Sequence, residues 1–198
     1  MGKRSVAAPS AGVAGLALVA ALTIASTVSP AGAATCPAST TCPTTVTFTV
    51  NAPDGLTITV PDGPVNIGSG APGGQISGLL GPVTVSDQRA ALTATWVATV
   101  SAASGGFTTG GGTAAETVPN TAVLYWSGAA TATTGTGTFV PGQANAAAAQ
   151  SLDQTRTAFS KTSGSGDNSA TWDPTIVVNV PAQAVAGTYT GTVHHSVA

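Results

Sequence analysis

Few residues of this chain could take part in acid–base or metal chemistry. Its two histidines, His194 and His195, are adjacent, and Glu116 is its single glutamate. The sequence contains no nucleophile-elbow, zinc-protease or phosphate-loop motif. Neighbouring residues of a strand point to opposite faces, so the two histidines are poorly placed to hold one ion. We therefore expect a protein that is not an enzyme and that uses no metal or cofactor.

An opposite-charge pair, Asp87 and Arg89, follows an apolar alternation that begins at Val83. Charges two residues apart at the end of a strand favour a corner in which the carboxylate accepts from backbone donors and pairs with the guanidinium. The alternative is a ligand site. We expect the structural corner.

Large aromatic side chains are the remaining candidates for binding. A flat ring in a neutral surface can hold the C–H face of a sugar, whereas the alternative role is core packing. Trp96 is expected in the core, and Trp126 is expected to reach the surface. Trp172 precedes Asp173-Pro174, which predicts partial exposure at an edge or bulge. The candidate binding residues are Trp126, Trp172, Tyr125, Trp96, Tyr189 and His195.

Charge is scarce throughout the chain. Of 198 residues, five are Lys or Arg and seven are Asp or Glu, whereas soluble domains are about a quarter charged. Nucleic-acid binding requires clustered cations, and here they are scattered, so no nucleic-acid partner is expected. The abundance of β-branched residues argues against disorder.

The N-terminus has the pattern of a secretory signal peptide. Lys3 and Arg4 precede an apolar run over 11–25, and Ala31-Gly32-Ala33 supplies a small-residue cleavage site. The alternative is a membrane anchor, but the run is shorter than the roughly 20 residues that span a bilayer. We expect residues 1–33 to be removed, which leaves an extracellular protein with no transmembrane span.

Two cysteines fit an oxidising compartment. Cys36 and Cys42 enclose five residues in the stub 34–43, and an even count favours a disulfide. The alternatives are free thiols or a metal pair.

Period-2 alternation of apolar residues with Thr and Ser dominates residues 44–198, and Gly- and Pro-rich turns punctuate it. This pattern is typical of a β-sandwich or barrel with one solvated face. We predict a single all-β domain, an antiparallel β-sandwich, with one short helix or loop over 144–154. The predicted strands are 44–50, 56–60, 83–86, 92–100, 122–126, 136–140, 157–161, 175–180 and 188–197.

The order of four segments resembles the WxL domain of Gram-positive surface proteins. They are TTVTFTV, LTITVPDGPVNIG, VTVSDQRAALTATWVATVSA and TWDPTIVVNVPAQAVAGTYTGTVHHSVA, and together they span about 44–198. The chain departs from the family pattern at Ala98, which replaces the Leu of the first motif. It departs again at His195, which replaces the second Trp, and at Val197, which replaces its Leu. The Ala- and Gly-rich composition fits a divergent actinobacterial branch.

The resemblance implies an exported all-β protein that attaches noncovalently to the cell wall through peptidoglycan. The first hypothesis is therefore a cell-wall-associated module that binds peptidoglycan or a related glycan. The second is a structural surface or matrix subunit that associates with copies of itself, or with other surface proteins, through sheet edges without glycan specificity. Low charge supports the second hypothesis, because charged residues usually protect sheet edges. A third hypothesis, a hydrolase, is supported only by the expected export and the histidine pair.

Overall fold

A computed structural model describes residues 35–52 and 55–198. The predicted signal peptide and its cleavage site lie outside the described residues. The chain divides into two compact units, Met1–Phe48 and Thr49–Ala198, which are described separately below.

In the first unit, Cys36 and Cys42 form the predicted disulfide, with their Cα atoms 6.2 Å apart. Inside the ring, the backbone N–H and the hydroxyl of Thr40 both donate to the carbonyl oxygen of Pro37, at 3.3 and 2.7 Å. The disulfide therefore closes a local turn.

The strand predicted over 44–50 is wrong. None of these residues forms a strand, and the side chains of Val46, Phe48 and Val50 are 80%, 86% and 75% exposed. The alternation is present in the sequence, but a strand also needs a neighbour for its backbone groups. No described strand pairs with this segment.

The second unit is all-β, as predicted. Its described residues form fourteen strands and three one-turn 3-10 helices, at Ala114–Glu116, Asn120–Ala122 and Ala146–Ala148. Of the helix predicted over 144–154, only the turn at Ala146–Ala148 forms. Asn145 caps this turn, because its side chain accepts a hydrogen bond from the N–H of Ala147. The strands are β1 Leu56–Thr59, β2 Gln75–Leu79, β3 Val83–Asp87, β4 Trp96–Ala102, β5 Phe107–Thr108, β6 Thr117–Val118, β7 Val123–Trp126, β8 Ala130–Thr134, β9 Phe139–Pro141, β10 Gln150–Ser151, β11 Arg156–Lys161, β12 Asn168–Trp172, β13 Thr175–Asn179 and β14 Val193–Val197.

The strands pair antiparallel in three four-stranded sheets and one hairpin. Sheet A has the order β1-β3-β12-β8, sheet B the order β10-β7-β13-β2, and sheet C the order β14-β4-β11-β9. The hairpin joins β5 to β6. Residues from all three four-stranded sheets meet in one core, consistent with the predicted β-sandwich.

Sheets A and B are two halves of one bent sheet. The chain passes directly from β2 to β3, from β7 to β8 and from β12 to β13, and each pair occupies corresponding positions in the two sheets. The breaks fall at Gly81-Pro82, Ser127-Gly128 and Asp173-Pro174, where proline removes a backbone donor or glycine takes a positive φ. Across the bend, the N–H of Leu80 donates to the carbonyl of Pro174 at 2.8 Å.

The core follows the predicted alternation in the central strands. Trp96, Ala98 and Val100 of β4 are buried, whereas Leu92, which precedes β4, is 91% exposed. The rings of Phe159 and Trp172 stack with centroids 4.9 Å apart. Within the described residues, no helix has the length and apolarity to cross a membrane.

Candidate functional site

The Asp87–Arg89 corner forms as predicted. Arg89 donates through Nε to Asp87 Oδ1 at 2.8 Å, through Nη2 to Oδ2 at 2.9 Å, and through its backbone N–H to Oδ1 at 3.1 Å. These hydrogen bonds from Arg89 hold the pKa of the buried Asp87 carboxyl below its ordinary value, against the opposing effect of burial. The pair is a structural corner of β3.

A buried polar network extends from this corner to the core. The Asn168 side chain donates to Asp87 Oδ2 at 3.3 Å and accepts from Trp96 Nε1 at 2.9 Å. Buried polar groups need hydrogen-bond partners. Here Asp87 orients the Asn168 amide, and that amide orients the Trp96 indole. Trp96 is 2% exposed, so it belongs to the core and not to a preformed surface.

A buried cation, Lys161, lies beside this network. Its Nζ donates to the carbonyl of Ala94 at 2.7 Å and lies 5.8 Å from the centroid of the Phe139 ring. In the sequence, Lys161 is one of the few scattered cations. Its inward position is visible only from the pairing register, in which Lys161 lies opposite Trp96.

A second polar network links Trp172, Tyr125 and His195. Trp172 Nε1 donates to the hydroxyl of Tyr125 at 3.0 Å, and this hydroxyl lies 3.3 Å from His195 Nε2. The partial exposure predicted for Trp172 is wrong, because its side chain and that of Tyr125 are 0% exposed. The proline after Trp172 bends the strand while the indole still points into the core. Trp172 and Tyr125 are therefore no longer candidates for binding at the surface.

Burial changes the acid–base behaviour of this network. It lowers the pKa of His195 from 6.5 to about 4 and raises that of Tyr125. His195 is therefore neutral at physiological pH, and in the tautomer with an unprotonated Nε2 it accepts a hydrogen bond from the Tyr125 hydroxyl. Its place on the apolar face of β14 agrees with the prediction, and His194 is exposed.

Tyr189 is a tether in the last segment of the chain. Its hydroxyl lies 2.9 and 3.0 Å from the carbonyl oxygens of Val185 and Ala115, to which it donates. The ring is partly buried against the core. The hydroxyl proton of Tyr189 is therefore already used in hydrogen bonds within the protein.

Trp126 is the candidate aromatic residue that remains on an outer face. It is partly exposed, and its ring lies over Gly128, where an added Cβ would approach the ring to 3.4 Å. Antiparallel pairing places side chains of sheet B in rows beside it. These residues form what we call the Trp126 patch: Leu79, Leu124, Trp126, Thr175 and Val177.

The Trp126 patch is apolar and uncharged, with polar groups at its margin. Leu79, Thr175 and Trp126 form one row across three neighbouring strands. Leu79 is 57% exposed, whereas the central Thr175 is buried. Gln75 Nε2 donates to Asn179 Oδ1 at 2.9 Å on the same face. A flat ring on a face with amide and hydroxyl side chains at its margin can hold a neutral, amphipathic ligand such as a pyranose.

Metal chemistry finds no support among residues 35–52 and 55–198, where no three potential ligands cluster. No family model, curated protein or solved structure matches the chain. The resemblance to the WxL domain therefore stays a prediction that rests on the motifs.

Proposed function

We propose that this protein is an exported, cell-wall-associated module that binds peptidoglycan or a related glycan noncovalently through the Trp126 patch. The observation that carries the proposal is the outward, partly exposed Trp126 ring, set among neutral side chains. The expected secretion, the low charge and the resemblance support the same function.

A neutral glycan suits the patch for two physical reasons. Its apolar C–H face gains from contact with an indole ring, while its hydroxyls bond to amide and hydroxyl side chains at the margin. The patch and its row neighbours Ser77 and Ser151 carry no charge, so the expected contact is with the uncharged sugar rings of the glycan and not with anionic groups attached to it.

The test is co-sedimentation of the purified protein with peptidoglycan sacculi and, separately, with an unrelated insoluble polysaccharide. We expect Trp126→Ala to lower the fraction that pellets with sacculi and Trp126→Phe to retain part of it, because the smaller ring preserves stacking. Leu92→Ala is the matched control, since Leu92 is exposed and outside the patch.

The melting temperature of each variant shows whether the fold survives. A folded Trp126→Ala protein that pellets like wild type would remove the patch from the proposal. Equal pelleting of wild type with both polymers would contradict specificity for peptidoglycan.

A specific observation favours the structural subunit as a second candidate function. Among the described residues, the three four-stranded sheets end in strands without a single Lys, Arg, Asp or Glu: β1, β2, β8, β9, β10 and β14. Sheet edges without charge are open to pairing with another chain. A purified protein that assembles with itself and stays in the supernatant with both polymers would favour this function.

A further inference from the structure

The segment 44–50 has the properties of a strand that lacks its sheet. Val46, Phe48 and Val50 alternate with three threonines, and these apolar side chains are 75–86% exposed. Seven uncharged residues with this alternation cover the length of a typical strand. An exposed row of bulky apolar side chains is unfavourable in water, so burial of this row would stabilise the segment.

The four strands of sheet A present an outer face rich in hydroxyl side chains, like the threonine face of the segment 44–50. Their outward side chains form two rows across the sheet, Thr57-Ser86-Ser169-Thr134 and Thr59-Thr84-Thr171-Ala132. Hydroxyl pairs join neighbouring strands, with 2.9 Å between Thr84 and Thr171 and 2.7 Å between Thr134 and Ser169. The segment 44–50 would extend these rows with its threonines and the inner face with its apolar residues.

Sheet A has one open edge that could accept such a strand. Its β1 edge lies beside β14, whereas at the β8 edge residues 131–134 are all exposed. The inward side chains of β8, Ala130 and Thr133, are small, and β8 contains no charge or proline. Thr133 is exposed although it points inward, so the inner face is uncovered at this edge.

Other edges of the described sheets are less suitable. β9 has three residues and ends in Pro141, and β10 has two. At β2 the inner face is already covered by the chain itself, because Ile67 packs over Gly78 so closely that an added Cβ would lie 2.6 Å from its carbonyl oxygen. The β8 edge is the acceptor that these features favour.

We propose that residues 44–50 of one copy add as a strand beside β8 of a second copy of this chain. Backbone hydrogen bonds would supply affinity, and burial of Val46, Phe48 and Val50 would supply the apolar contribution. The contact joins two different surfaces, so each copy still offers a free segment and a free edge. Such a head-to-tail contact propagates into a ring or a filament.

This inference rests on the second candidate function, and its test uses the exported protein with its own N-terminal segment. Light scattering after size-exclusion chromatography, over a wide range of concentration, measures the mass of each species. The donor-blocked variant is the double substitution Val46→Lys and Phe48→Lys, and the acceptor-blocked variant is Thr133→Lys. All three positions are exposed, so the fold should persist; Leu92→Lys is the control.

We expect wild type and Leu92→Lys to assemble and each blocked variant to have the mass of one chain. An equimolar mixture of the two blocked variants should give a complex of two chains and nothing larger, because one copy retains the segment and the other the edge. A donor-blocked variant that still assembles, or a mixture that stays monomeric, overturns the inference and leaves the second function standing. A wild type that is monomeric throughout overturns both.

Discussion

Acidification is expected to destabilise the fold through His195. The imidazole is largely buried, with Nε2 3.3 Å from the Tyr125 hydroxyl, and burial lowers its pKa from 6.5 to about 4. In the unfolded chain it binds a proton below about pH 6.5, whereas the folded protein binds it only near pH 4. The unfolded state therefore holds more protons in this window, and the free energy of unfolding falls as the pH falls through it.

The magnitude follows from the shift. Each pKa unit corresponds to about 1.4 kcal/mol, so a lowering from 6.5 to about 4 costs about 3 kcal/mol once both states are protonated. Linkage gives a loss of about 1 kcal/mol at pH 5.5 and about 2 kcal/mol at pH 4.5, relative to neutral pH. Total stabilities are about 5–15 kcal/mol, so the loss is large enough to measure.

Urea unfolding at pH 7, 5.5 and 4.5 measures this loss, and the adjacent histidine supplies a matched control. His195→Gln keeps a side chain that can accept from Tyr125 but does not titrate, so it should lose less stability than wild type on acidification. His194→Gln, at an exposed position, should retain the wild-type dependence. Carboxylates also titrate in acid, but they are common to all three proteins and cancel in the difference. Identical pH dependence in wild type and His195→Gln would refute the assignment.

Three further predictions concern the core, the charged corner and the disulfide. Trp96→Ala should lower the free energy of unfolding by about 3–5 kcal/mol in urea, since this ring is buried; unchanged stability would mean that the strand register is wrong. Arg89→Ala should cost about 3 kcal/mol, because Asp87 would keep its buried charge without its main donor. If its stability is restored by Asp87→Asn in the double variant, the loss comes from the unpaired carboxylate; a loss of less than a tenth of this size would contradict the argument. Replacement of Cys36 and Cys42 by Ser should leave a soluble, folded protein with an unchanged thermal midpoint for Thr49–Ala198, and a failure to fold would give the disulfide a larger role.

Local patterns predicted the features that depend on neighbouring residues. Asp87 and Arg89 are two positions apart, so their pairing requires only the end of one strand. Trp96, Ala98 and Val100 alternate within one segment, and the alternation correctly placed them on the buried face. The Cys36–Cys42 ring is equally local.

Features that depend on distant partners were not predictable. Trp172 is buried with Tyr125, 47 residues away in sequence, and Tyr125 meets His195, 70 residues away. Lys161 is inward only because of its pairing with β4. β8 was missed because its Ala and Thr residues are all small and produce no apolar alternation.

The segment 44–50 shows the opposite case. Its alternation is as regular as that of any strand in the chain, yet it forms no strand, because a strand also needs a neighbour for its backbone groups. A period-2 pattern indicates which face of a segment is apolar, and it does not identify the chain that covers that face. The proposed pairing with a second copy would supply that cover.

The two proposed surfaces are compatible because they use different parts of the same bent sheet. β7 and β8 are consecutive, so Trp126 and Ala130 are only four residues apart. Trp126 lies on the outer face of sheet B, where β10 already pairs with β7, whereas a donated strand would lie at the edge of sheet A. A ligand on the face does not need the backbone groups of the edge. Thr133→Lys should therefore leave sacculus binding unchanged and Trp126→Ala should leave assembly unchanged; a variant that lost both activities would indicate one shared surface instead of two.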